Sequence, residues 1–182
     1  MNGDIKVYSE YGKGSIFTAI IPQEIRGESQ NVIGQIKEYS PSHEHRRKVK
    51  YNAPNAKVLI VDDSRTNLIV AKALLRDTKA QITTALSGFE CIELVKSNHY
   101  DVIFLDHRMP EMDGVETLHK MNEMIPESSK IPTIMLTANA VNDARDYYLT
   151  EGFTDFISKP ITEEAITEML GNYLPEDLIN VL

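Results

Sequence analysis

Cysteine is nearly absent: a single thiol, Cys91, stands among 182 residues. One cysteine forms no intrachain disulfide and supplies no zinc cluster, so the fold must rest on a packed core, in a reducing compartment such as the cytoplasm. Long apolar runs are missing as well. The longest are strand-sized, and no basic stretch precedes one near the amino terminus, so neither a signal peptide nor a transmembrane helix is expected, and no direct membrane contact. Positive charge is scarce in most of the chain. Residues 26–56 hold six Lys/Arg against three Asp/Glu, whereas residues 57–182 hold eleven against twenty-one. A main region at −10 argues against nucleic-acid binding.

What is present is enough apolar residue, 42%, to bury one good core. Residues 1–25 alternate like a hairpin, with Ile5 and Val7 and then Ile16, Phe17, Ala19 and Ile21 flanking EYGKGS. Residues 26–56, which include PSHEHRRKVK, show no sustained apolar period and read as a linker with little fixed structure. From residue 57 two patterns alternate. Strands are expected at KVLIVD (57–62), AQITTA (80–85), DVIFLD (101–106), PTIMLT (132–137) and DFISK (155–159), with helices near 65–77, 88–98, 114–125, 140–151 and 162–172. Five strands alternating with five helices predict an α/β fold, a parallel sheet with right-handed crossovers and helices on both faces. Ser87 with Glu90, and Asp113 with Glu116, read as capping pairs at helix starts, and Gly152 as a helix-ending glycine.

The chemistry lies at the strand ends. In DVIFLDHRMPEMDG (101–114) a buried-type strand runs into a carboxylate, Asp106. Alone, that acid reads as the start of a loop or a cap. Yet the first strand ends in Asp62 and Asp63, the fourth in Thr137 and the fifth in Lys159, and the carboxyl ends of parallel strands are where open α/β sheets place their sites. Singly, Asp62 and Asp63 could cap the following helix, Thr137 likewise, and Lys159 could simply be solvated. Together, three acids on one rim repel unless a cation sits among them. Mg²⁺ suits two or three carboxylates with a backbone carbonyl and retained waters, and it works on phosphate oxygens. Lys159 and Thr137 then fit the far side of a phosphoryl group as a charge and a donor, and Asp106 becomes a nucleophile.

The set VDD, FLDHRMPEMDG, MLTA and FISKP, in this order and spacing, closely resembles the receiver domain of response regulators in two-component signalling, over residues 57–173. The resemblance implies a flavodoxin-like (βα)5 fold in which Asp106 takes a phosphoryl group from phosphohistidine. By the same resemblance, Asp62, Asp63, Asp106 and the backbone carbonyl of Arg108 would hold Mg²⁺, and Thr137 and Lys159 would bind phosphoryl oxygens. Phe156 would be the aromatic switch that turns inward as the Thr137 hydroxyl moves to the phosphoryl group, and Pro160 would follow a cis peptide. Two positions are individual: His107, read as an exposed loop residue, and Asn139.

The stretch NGDIKVYSEYGKGSIFTAIIP resembles the last hairpin of the histidine-kinase ATPase domain. The two resemblances together imply the C-terminal part of a hybrid histidine kinase, possessing a receiver that catalyses its own phosphorylation and dephosphorylation but no ATP site. Its expected partners are a histidine-kinase phosphodonor domain or a histidine phosphotransfer protein, with a homodimer left open. Residues 174–182 read as a short tail, and the parent protein could be anchored in a membrane upstream. The competing readings are a Mg²⁺-dependent phosphatase forming an aspartyl-phosphate, which usually carries an acid where Arg108 stands, and a degenerate receiver serving as a scaffold.

Overall fold

The computed structural model describes residues 3–10, 12, 14–22, 51–138 and 142–181, with only the backbone of 142–145. The chain divides into two units, Met1–His45 and Arg46–Leu182. In the first, β1 (Asp4–Glu10) and β2 (Gly14–Ile20) form the expected hairpin, antiparallel from Asp4↔Ile20 to Glu10↔Gly14. Gly12 and Gly14 take φ of 79° and 106°, backbone that side-chain-bearing residues rarely adopt, which is why the turn is glycine-rich. Cross-strand pairs such as Val7↔Phe17 and Tyr8↔Ile16 remain exposed. Most of the segment read as linker, residues 26–50, lies outside the described residues.

The second unit is the alternating fold. Strands β4 (Lys57–Val61), β5 (Gln81–Ala85), β6 (Val102–Asp106), β7 (Thr133–Thr137) and β8 (Asp155–Ser158) make one parallel sheet in the order β5-β4-β6-β7-β8. Every residue of β6 and β7 is buried, because continuous apolar runs suit strands covered on both faces. Alternate side chains supply two cores. Leu59, Ile103, Leu105 and Met135 pack toward α2 (Gly88–Ser97), α3 (Gly114–Met124) and α4 (Asn142–Thr150). Val58, Ile60, Phe104 and Ile134 pack toward α1 (Arg65–Leu74) and α5 (Glu163–Tyr173). Both predicted capping pairs form: Ser87 Oγ accepts from Glu90 N at 3.2 Å and Asp113 Oδ1 from Glu116 N at 2.9 Å. Gly152 has φ of 99° where α4 ends. Burial pushes the Cys91 thiol up to about 12, so it stays a protonated core residue. Among the described residues, no helix is long and apolar enough to cross a membrane.

Short segments on either side of residues 57–173 pack with them. Residues 51–56, read as linker, and 174–181, read as tail, belong to the packed unit. Strand β3 (Tyr51–Asn52) pairs antiparallel with β9 (Asn180–Val181). Ala53 and Ala56 are fully buried, and Leu174 is buried beside α5. Tyr51 donates to the Thr167 carbonyl at 2.7 Å and lies so close to Gly171 that a Cβ there would sit 2.9 Å from the ring. Burial pushes the Tyr51 phenol up to about 12. Two-residue strands carry no periodic signal, and pairing across more than a hundred residues leaves none in the local sequence.

Candidate functional site

Around β4 the sheet order runs one way to β5 and the other way to β6. That reversal opens a crevice beyond their carboxyl ends, and the acids sit there. Asp62 and Asp63 follow β4, and Asp106 closes β6. One carboxylate oxygen from each lies within 4.8 Å of the others. Asp62 and Asp106 are buried and Asp63 is exposed. Asp62 is held from below: its Oδ1 accepts from Ser64 N at 2.9 Å, and Asn67 Nδ2 donates to both oxygens at 3.0 and 3.1 Å. The helix cap is Ser64, which leaves the Asp62 carboxylate facing the crevice residues.

Lys159 comes from the far side of the sheet, just after β8. Its Nζ stands 2.8 Å from Asp62 Oδ2 and 2.8 Å from Asp106 Oδ1. The cation that three crowded acids require is therefore supplied in part by the chain itself, and Lys159 is no solvated bystander. Burial pushes the Asp106 carboxyl above the usual carboxylate range; the Lys159 ammonium opposes this, and the Asp62 charge adds to it. For Lys159, burial works to lower the value, but bonds to Asp106 and Asp62 outweigh it and hold the ammonium above the ordinary lysine range. The donor set, all hard oxygens on one rim, fits Mg²⁺.

The loop after β6 is set by backbone. Gly114 N donates to the His107 carbonyl at 2.9 Å, folding the chain back to start α3 close to Asp106. A Cβ at Gly114 would collide with the backbone carbonyl of Asp106. Gly114→Ala should therefore displace the end of β6, costing about 1–3 kcal/mol as overpacking, read as a lowered urea midpoint. Arg108 is exposed on this loop, two residues past Asp106. The peptide before Pro160 is cis, as expected.

Thr137 ends β7 on the same rim and is fully buried. Its Oγ1 lies 2.9 Å from the Tyr148 hydroxyl, which also stands 3.1 Å from His107 Nδ1. His107 is thus half-buried and bonded rather than exposed, because Tyr148 offers it a polar partner and an edge-on ring at 5.3 Å. Phe156, half-buried in β8, lies 6.3 Å from the Tyr148 ring. Tyr148 was not legible as a site residue: in the sequence it is one of two adjacent tyrosines in an amphipathic helix.

With this geometry the chain was compared with known proteins. The model of the response regulator receiver domain matches residues 58–171. The aerobic respiration control sensor protein ArcB of Escherichia coli is 31% identical over 95% of this chain and 21% of its own length. The autoinducer 2 sensor kinase/phosphatase LuxQ of Vibrio parahaemolyticus is 27% identical over 98% of this chain and 20% of its own. The chain thus spans about a fifth of the length of these curated relatives. Among solved structures, the chemotaxis protein CheY4 of Vibrio cholerae superposes with a TM-score of 0.61 at 29% identity, covering 65% of this chain and 98% of that one. The strand order, the acidic crevice and the match across residues 58–171 agree, and the chain belongs to the response regulator receiver domain family.

Proposed function

We propose that the receiver is part of a hybrid histidine kinase and accepts a phosphoryl group on Asp106. As a receiver domain it serves phosphorelay signalling, with a histidine-bearing partner as donor. The observation that carries the assignment of Asp106 is the ammonium of Lys159, 2.8 Å from both Asp62 and Asp106, beside a third carboxylate. A carboxylate oxygen of Asp106 attacks phosphorus, the P–N bond of phosphohistidine breaks, and its electron pair leaves on the imidazole nitrogen, which is then protonated. Lys159 exchanges its bond to Asp106 for one to a phosphoryl oxygen, and the Thr137 hydroxyl donates to another. Asp62, Asp63, Asp106 and the Arg108 carbonyl would hold Mg²⁺, which neutralises phosphoryl oxygens when bound. The hybrid-kinase reading is supported by the exposed hairpin ahead of the receiver and by relatives whose similarity runs through both. On this reading the domain works on the cytoplasmic side, passing its phosphoryl group to or from a histidine phosphotransfer protein.

The experiment is incubation with Mg²⁺ and acetyl phosphate, followed by intact-mass measurement. One base-labile phosphoryl adduct is expected. No adduct would refute the assignment and leave the scaffold reading, and one that forms equally well with EDTA would refute the metal-assisted site. The metal has its own test. Asp63 is exposed, so Asp63→Ala should change stability in EDTA by no more than about 0.5 kcal/mol. Mg²⁺ at ten times its Kd should stabilise the parent by about 1.4 kcal/mol, and most of that gain should vanish in Asp63→Ala, as read from urea melts.

A further inference from the structure

The hydroxyl of Tyr148 is the least expected group near the crevice. Tyr148 lies on α4 and is 2% exposed. Its oxygen is 2.9 Å from Thr137 Oγ1 and 3.1 Å from His107 Nδ1. One buried phenol therefore touches the residue that follows the acceptor on β6 and the hydroxyl that ends β7. Its ring also meets Phe153 edge-on at 6.2 Å and Phe156 at a tilt at 6.3 Å. Two strand ends, a residue within β8 and a helix converge on a single side chain.

A phenol has one proton to donate and lone pairs to accept, so its two contacts orient each other. The side chain is packed on several sides and cannot follow Thr137 far without disturbing α4 against β8. A phosphoryl oxygen and Tyr148 would then compete for the same threonine hydroxyl. Buried hydroxyls are costly to leave unbonded, so this bond favours the arrangement in which it is made.

We infer that Tyr148 is a positioning residue: its hydroxyl holds Thr137 in the unphosphorylated arrangement, with His107 fixing the phenol from the other side, and phosphorylation must break that bond. The inference rests on the reading of Thr137 as the hydroxyl that binds a phosphoryl oxygen. Releasing Thr137 leaves the phenol one partner short inside the packing of α4 and Phe156. That is a route by which the charge at Asp106 reaches the α4–β8 face.

The test is a calorimetric titration of the chain with beryllofluoride, a phosphoryl mimic, in Mg²⁺. Tyr148→Phe keeps the ring and deletes the hydroxyl, so the bond that favours the unphosphorylated form disappears. The variant should bind the mimic about three- to tenfold more tightly than the parent, the worth of one hydrogen bond. In a Thr137→Ala background the same change should alter affinity less than about twofold, since the coupling partner is gone. His107→Leu, which removes the phenol's other contact, should shift affinity in the same direction by less, and it serves if Tyr148→Phe unfolds in urea too early to titrate. A merely structural tyrosine would weaken binding or leave it unchanged in both backgrounds, and that result overturns the inference. A parent that does not bind the mimic at all overturns the phosphoacceptor reading itself, so the two failures are distinguishable.

Discussion

Asp106→Asn is expected to eliminate phosphoryl uptake from acetyl phosphate while the domain stays folded. The change replaces one oxygen by an amide nitrogen in a side chain of the same shape. Lys159 keeps an oxygen acceptor at position 106 and keeps its 2.8 Å bond to Asp62. What is lost is the nucleophile: an amide oxygen does not form a stable acyl phosphate. Stability should move the other way. The Asp106 carboxyl is held above the usual range, chiefly by burial, so the parent is most favoured below that range and loses stability as pH rises through the folded value. At neutral pH the neutral amide avoids that loss, and the variant should melt in urea no earlier than the parent. An adduct on Asp106→Asn would place the phosphoryl group elsewhere; a collapsed fold would make Asp106 a structural cap.

The second large effect lies outside the crevice. A chain beginning at residue 57 should be far less stable than one beginning at residue 46, by about 4 kcal/mol or more. The omitted residues carry Tyr51 and the fully buried Ala53 and Ala56. Backbone bonds also go: Ala53 N to the Thr78 carbonyl at 2.7 Å and Gln81 N to the Ala56 carbonyl at 2.8 Å, besides the Tyr51 bond at 2.7 Å. Half-burial of an aromatic, burial of two methyls and three hydrogen bonds at about 1 kcal/mol each give that order of magnitude. Against a typical 5–15 kcal/mol for a whole domain, such a loss leaves little margin. Comparing urea midpoints of the two chains measures it. Equal midpoints would show that the segment only decorates the surface.

The sheet was legible because β4, β6 and β7 are apolar runs that end abruptly in polar groups, and their bounds fall within a residue of the expectation. The crevice was legible because Asp62, Asp63, Asp106, Thr137 and Lys159 stand at those ends. The partners of these groups were not. That Lys159 bridges two acids across 97 and 53 positions depends on the order in which strands lie side by side, not on any local period. Tyr148 escaped for a related reason: helix amphipathicity shows that one face is buried but not which hydroxyl that face meets. Residues 51–56 escaped because alanine and asparagine around a single proline look like any loop until the neighbouring carbonyls are known.

The pairing of Tyr51 with Val181 has a consequence for how the domain sits in a longer polypeptide. Antiparallel neighbours lie about 5 Å apart, so the chain arrives and departs through one doorway, side by side. Such a module adds almost nothing to the contour between its flanks. It can be spliced into a host sequence, or removed with both of its border segments, while the spacing of what lies on either side stays nearly the same.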